Sequence, residues 1–233
     1  MRRKTGFRRW QKDGCPQCGL GRLPVDMSEA DTLFPRELTD LDDEVRSVPP
    51  PPAPEVPSPY AFRLADPDAD AEKIADWMRR PHLLRAWDAA WPASRWYRYL
   101  QAQLEGDYSR PYIGSLDGLD YGYLELYRAA KDLISTLYES DPYDLGIHAA
   151  TAEPKFVGLG NAQLLLPHFV ASVLNAEPQC RRIIFSPDYR SRGTRRFCEN
   201  GGCTFLGEHD LPDRRVALYV LPRTLDDVPG LRS

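Results

Sequence analysis

His148 ends an apolar run, and ten residues later the chain reads Gly158-Leu159-Gly160-Asn161-Ala162 ahead of a leucine-rich stretch. An imidazole with an ordinary pKa near 6.5 exchanges its proton at neutral pH. Small residues where a helix opens leave backbone N–H groups free to meet a diphosphate, and the helix dipole adds to the attraction. The amides of 159–163 would face such an anion. A titratable side chain beside an anion cradle is the apparatus of coenzyme-dependent group transfer. The other reading of the same pattern is a tight loop shaped by two glycines.

Other residues qualify by type and position. Tyr121, Tyr123, Glu125 and Tyr127 alternate along a strand and so share one face. Glu125 and Tyr127 either meet a substrate there or make ordinary cross-strand pairs. Trp87 and Trp91 stand four apart, which predicts stacking on one helical face. Trp91 reads as core, whereas His82 and Trp87 read as cleft residues. Lys131-Asp132, Asp141 and Asp144 form a charged hinge, which either binds substrate termini or stays solvated. Cys15-Pro16-Gln17-Cys18 is half of a zinc ribbon. A structural zinc site needs four ligands, and Cys180, Cys198 and Cys203 have other spacing, so no metal is assigned.

The elements that must position these residues alternate between strand and helix. Tyr60–Leu64, Pro111–Leu116, Tyr121–Tyr127, Asp144–Ala150, Arg182–Phe185, Thr204–Gly207 and Val216–Leu221 read as strands. Asp117-Gly118 is a hairpin turn. Helices are predicted over Asp66–Met78, with Asp70 as a possible cap, over Ser94–Leu104, over Gly160–Leu174, and over Tyr189–Glu199 with Gly201-Gly202 as its end. The order implies a mixed α/β fold, antiparallel in its first half and with a helical crossover in its second.

The 233 residues suffice for one good core. Residues 1–58 differ from the rest. They begin basic, turn acidic, and end in Val48-Pro49-Pro50-Pro51-Pro52-Ala53-Pro54. Such a run favours polyproline II, which predicts a flexible N-terminal arm over 1–58 and a folded domain over 59–233. The formal net charge of −4 argues against a nucleic-acid partner. No apolar run approaches about 18 residues, so no membrane span is expected. The basic start lacks an apolar core and does not read as a secretory signal. Five scattered cysteines read as reduced thiols of a cytoplasmic protein.

The Gly158–Ala162 turn resembles the coenzyme-A loop of the GCN5-related N-acetyltransferase superfamily. Arg80-Pro81-His82-Leu83, Tyr108-Ser109-Arg110-Pro111, Ile113-Gly114-Ser115-Leu116-Asp117-Gly118, Leu124-Glu125-Leu126-Tyr127, Asp141–His148 and Phe205–Asp210 narrow the resemblance to the acyltransferases of siderophore biosynthesis, over roughly residues 60–223. It implies a split, mixed central sheet flanked by helices. It also implies acyl transfer from acetyl-CoA or a longer acyl-CoA, or from an acyl carrier protein, to a small hydroxylated amine, namely the N6-hydroxylamine of a lysine-like side chain. His148 matches the active-site histidine. Ala149, Ala150 and Thr151 would hold the thioester through backbone N–H groups, and Gly158, Leu159, Gly160, Asn161 and Ala162 the diphosphate. Glu125, Tyr127, His82 and Trp87 fall on the acceptor side. Where the family carries Asp-Pro-Asp, this chain reads Ser186-Pro187-Asp188. Ser186 replaces the first acid, and Asp188 either serves the chemistry or caps the next helix. Acetylation of an aminoglycoside, or acyl-CoA binding without catalysis, are the alternative functions.

Overall fold

Strands β1 (Tyr60–Leu64), β2 (Ser109–Leu116), β3 (Leu119–Arg128), β4 (Leu145–Thr151), β5 (Arg182–Phe185), β6 (Thr204–Asp210) and β7 (Arg215–Pro222) form one mixed sheet in the order β1-β2-β3-β4-β5-β7-β6. The structure, a computed structural model, describes residues 33–87, 89–158 and 160–232. Cys15, Cys18 and Leu159 lie outside the described residues. Within the sheet only the β4–β5 pair is parallel. β2 and β3 meet at Asp117-Gly118, both with positive φ, the geometry a two-residue hairpin turn demands.

Before the sheet comes a short helix, α1 (Asp43–Arg46). Helices α2 (Pro67–Met78), α3 (Pro81–Trp87) and α4 (Ala93–Glu105) join β1 to β2, whereas α5 (Asn161–Ala176) and α6 (Arg192–Asn200) flank β5. Side chains of β3 alternate between two cores. Tyr123 packs with Ile74, Met78, Trp96 and Leu100 of α2 and α4, and its neighbour Leu124 packs with Phe169 and Val173 of α5. A third core gathers Tyr108, Tyr127 and Tyr138 with Ile184 of β5 and Val216, Leu218 and Val220 of β7.

The sheet splits where β4 leaves β5. These strands pair only at Leu145–Ile183 and Gly146–Ile184. From Ile147 to Thr151, β4 keeps its ladder with β3 and, among the described residues, has no strand partner on its β5 side. Gly146 is required at the fork, because a Cβ there would collide with the Tyr127 ring.

Several local expectations are corrected. The cap of α2 is Asp66, whose side chain accepts from Asp68 N at 2.9 Å, with Pro67 in the first turn. Asp70 is instead fully buried in ion pairs with Arg63 and Lys73. Helix α3 has no counterpart among the helices expected from the sequence. Trp91 lies beyond it, packed on Trp96 and Tyr99 rather than stacked with Trp87 on one helix. The charged hinge is not solvated. Asp144 is fully buried against Arg182, and Asp132 is buried against Tyr108.

The largest correction concerns residues 33–58, which do not form a free arm. Phe34 packs on Tyr99 and Tyr108, Val48 is 2% exposed, and Glu55 N donates to Ser172 Oγ. Prolines lack donors but keep their carbonyls. Buried Arg128 donates to Pro49 O and Pro50 O, and buried Lys131 donates to Val48 O. A strap whose acceptors are satisfied from below can lie on the domain with little regular structure of its own.

Candidate active site

Glu125 and His148 are direct partners across the β3–β4 ladder. Opposed residues of an antiparallel pair project on the same face, so the register brings their side chains together. His148 Nδ1 lies 3.2 Å from Glu125 Oε2. The other carboxylate oxygen accepts from Tyr123 Oη at 2.8 Å and Gln103 Nε2 at 3.2 Å. Gln103 continues the buried face of α4 formed by Trp96, Tyr99 and Leu100, so a polar residue at an apolar position is the signal that marks it. Tyr127 stacks on the His148 ring at 4.5 Å, and Trp87 meets it edge-on at 6.1 Å.

Arg36 completes this shell. Its Nη1 is 3.1 Å from His148 Nε2 and its Nη2 is 3.0 Å from Nδ1. Its Nε is 3.9 Å from Asp132. An ionised carboxylate only accepts hydrogen bonds, so the His148 proton sits on Nδ1, toward Glu125, and Nε2 accepts from Arg36. Burial, and then the Arg36 charge, lower the His148 pKa to about 4 against the opposing pull of Glu125. Burial pushes Glu125 up, but the hydrogen bonds from His148 and Tyr123 hold it below its ordinary value. At neutral pH the pair is a carboxylate and a neutral imidazole. Such a pair accepts a proton at Nε2 once Arg36 moves off it.

Ser186 follows β5 and is buried. Its hydroxyl accepts from Arg214 Nη2 at 3.4 Å, and the Arg214 charge acts on both Tyr127 and His148, which joins it to the same cluster. Asp188 is not brought to His148. Its carboxylate is bound by Arg190 at 3.0 Å, and the residue preceding α6 is Ser191, so Asp188 is not its N-cap either. His82 Nε2 lies 3.0 Å from Thr151 O, which places it against the end of β4. Sequence reasoning missed Arg36 and Arg214, one in the strap and one in the turn before β7.

The opposite side of β4 has the geometry for a phosphorylated thioester. Gly158 and Gly160 both have φ of +77°, a conformation that other residues rarely adopt. Gly160 precedes α5, and Asn161 and Ala162 form its first turn, where N–H groups have no intrahelical partner. Ala149, Ala150 and Thr151 lie on the part of β4 that has parted from β5. A small cleft lined by Tyr121, Thr151, Phe156, Asn161 and Ala162 connects that strand to the helix start. These residues fit a coenzyme with an anionic end and an extended arm. Among the described residues, no three His, Cys, Asp or Glu side chains converge as a metal-ligand set. No described helix is long and apolar enough to cross a membrane.

The acetyltransferase (GNAT) domain family matches residues 66–211. The chain is 58% identical over 213 residues to the lysine N-acyltransferase MbtK of Mycobacterium sp. (strain MCS), covering 90% of this chain and 87% of that protein. It is 29% identical to the N(6)-hydroxylysine O-acetyltransferase of Escherichia coli, covering 70% of this chain and 52% of that one. Among solved structures, the aminoglycoside acetyltransferase AAC(6')-Ib in complex with coenzyme A superposes with a TM-score of 0.63 at 25% identity, over 70% of this chain and 95% of the other. With the split sheet and the glycine turn beside it, these matches show that the chain belongs to the GNAT acetyltransferase family and is an N-acyltransferase.

Proposed function

We propose that the chain transfers an acyl group from acyl-CoA to the N6-hydroxylamine of a lysine-like acceptor, forming a hydroxamate for siderophore biosynthesis. The observation that carries this reading is the pairing of His148 with Glu125 beside the gap in the sheet. A base whose conjugate acid lies near 4 takes a proton poorly. It suits a hydroxylamine, which is already neutral at physiological pH, better than an alkylammonium that must first lose a proton. His148 Nε2 receives the proton from the acceptor nitrogen as the C–N bond forms and the C–S bond breaks, while Glu125 holds Nδ1–H and so fixes the tautomer. Backbone N–H groups of Ala149–Thr151 bind the thioester, and Gly158–Ala162 the diphosphate. Trp87 and Tyr127 enclose the acceptor side. Ser186 serves by accepting from Arg214, since a hydroxyl is a poor general acid or base. The donor arm is the same whether CoA or a carrier protein presents it. Cys180, Cys198 and Cys203, the described cysteines, are all free thiols, in keeping with a reducing cytoplasm.

Glu125 disfavours the aminoglycoside alternative. It is 4% exposed, and its carboxylate is already bonded to Tyr123, Gln103 and His148, so it offers no anchor to a polycation. Thiol release from acetyl-CoA and palmitoyl-CoA over N6-hydroxylysine, lysine and kanamycin tests the proposal. Release with hydroxylysine above both other acceptors is expected, and release with kanamycin alone would reverse it.

The pH profile supplies a second test. Only neutral imidazole accepts a proton, so kcat/KM falls as pH drops through the His148 pKa. With that pKa lowered to about 4, the profile expressed per neutral hydroxylamine is expected to stay flat down to about pH 5. Arg36→Gln removes one of the lowering charges and is expected to shift the acid limb upward, toward the ordinary value of about 6.5. An unmoved limb would show that Arg36 has no hold on the imidazole.

A further inference from the structure

Among the described residues, one guanidinium donor at this site is buried without an acceptor and a second meets a ring nitrogen that already carries a proton. A neutral imidazole offers one lone pair, and His148 directs it from Nε2 to Arg36 Nη1. Arg36 Nη2 therefore faces Nδ1, which carries a proton, at 3.0 Å and gains no hydrogen bond there. Arg214 Nε is buried with no partner among the described residues, and the polar side-chain contact this residue makes is the long one from Nη2 to Ser186 Oγ at 3.4 Å. Tyr127 links the two, its ring stacked on His148 and its hydroxyl under the charges of both Arg36 and Arg214. Arg214 and Arg36 share one neighbourhood, near enough that, beside burial, the Arg36 charge lowers the Arg214 pKa. A buried, unsatisfied donor is costly, and a guanidinium fork matches a carboxylate better than any other common group.

We infer that Arg36 and Arg214, with the Ser186 hydroxyl, form a subsite for the carboxylate of an amino-acid acceptor. The inference rests on the proposed acyl transfer and adds what that reading leaves open, the part of the acceptor that is recognised. The carboxylate draws Arg36 off the imidazole, so binding of the correct acceptor frees Nε2 to receive its proton. A diamine of the same length lacks the group that moves Arg36 and leaves Arg214 Nε without a partner.

The test compares N6-hydroxylysine with N-hydroxycadaverine, which carries the same nucleophile without the carboxylate. Calorimetry on the full chain is expected to show tighter binding of hydroxylysine by about 10- to 100-fold, the range of a charge-assisted hydrogen bond. The ratio of kcat/KM for the two acceptors is expected to follow. In Arg214→Gln and, separately, Arg36→Gln, both ratios fall about tenfold or more. A purely structural role lowers both acceptors together and leaves the ratios unchanged, which overturns the subsite. Equal affinity of the parent protein for the two acceptors also overturns it, and requires no variant to fold. If calorimetry discriminates but neither acceptor releases thiol, the subsite stands and the acyl-transfer reading fails.

Discussion

Replacing His148 by alanine is expected to lower kcat for hydroxylysine acylation by about 10²-fold, with coenzyme binding retained. General-base catalysis contributes roughly 10²–10⁴-fold. The low end applies because burial, the largest cause of the lowered imidazolium pKa, persists in the complex and leaves a weak proton acceptor. The acceptor's own nitrogen is a good nucleophile without deprotonation, so positioning beside the thioester carries the rest of the rate. His148→Gln keeps a hydrogen bond to Glu125 but supplies no base, and its turnover is expected to match that of alanine. Single-turnover measurement at saturating donor separates this from a binding loss. Turnover within about threefold of the parent would remove His148 from the proton path, whatever the fate of the fold.

Arg128→Ala is expected to destabilise the domain by about 3–5 kcal/mol, the usual consequence of breaking a buried charge pair by deleting one partner. Arg128 is fully buried and donates to Pro49 O, Pro50 O and Glu177 Oε2 at 2.8, 3.2 and 2.8 Å. Its loss leaves two strap carbonyls and the Glu177 carboxylate without that donor. In a domain of this size the thermal midpoint should drop by roughly 6–20 °C. The strap between residues 33 and 58 should also become the first site of limited proteolysis. Because Arg36 arrives on that strap, the pH profile should shift as it does in Arg36→Gln. A melting point within about 1 °C of the parent would mean that Arg128 does not hold the strap.

The two predictions draw on parts of the molecule that are unequally visible in the sequence. His148 and Glu125 lie on strands whose alternating side chains and Asp117-Gly118 turn are readable there, and the two-residue loop fixes the β2–β3 register. Gly158 and Gly160 are readable because their positive φ demands glycine. Asp188 misleads, since an acid ahead of a helix suits both a cap and a site, and only the position of Arg190 shows where its carboxylate goes.

Arg128 and the strap it holds are invisible for a different reason. A proline run without donors reads as solvated polyproline II, and nothing local reveals that the distant Arg128 and Lys131 reach its carbonyls. The amino-acid order by itself determined which segments become the strands and the four longer helices, where the glycine turn must fall, and that a histidine stands on the strand before it. Those features depend on preferences acting over a few neighbouring residues. Tertiary packing alone decided that Arg36 would meet His148 across 112 positions, that Arg214 would be buried beside Ser186, and that the imidazole would lose its ordinary basicity. Burial and charge proximity are properties of the assembled interior, where desolvation sets the pKa and where an unpaired donor becomes costly.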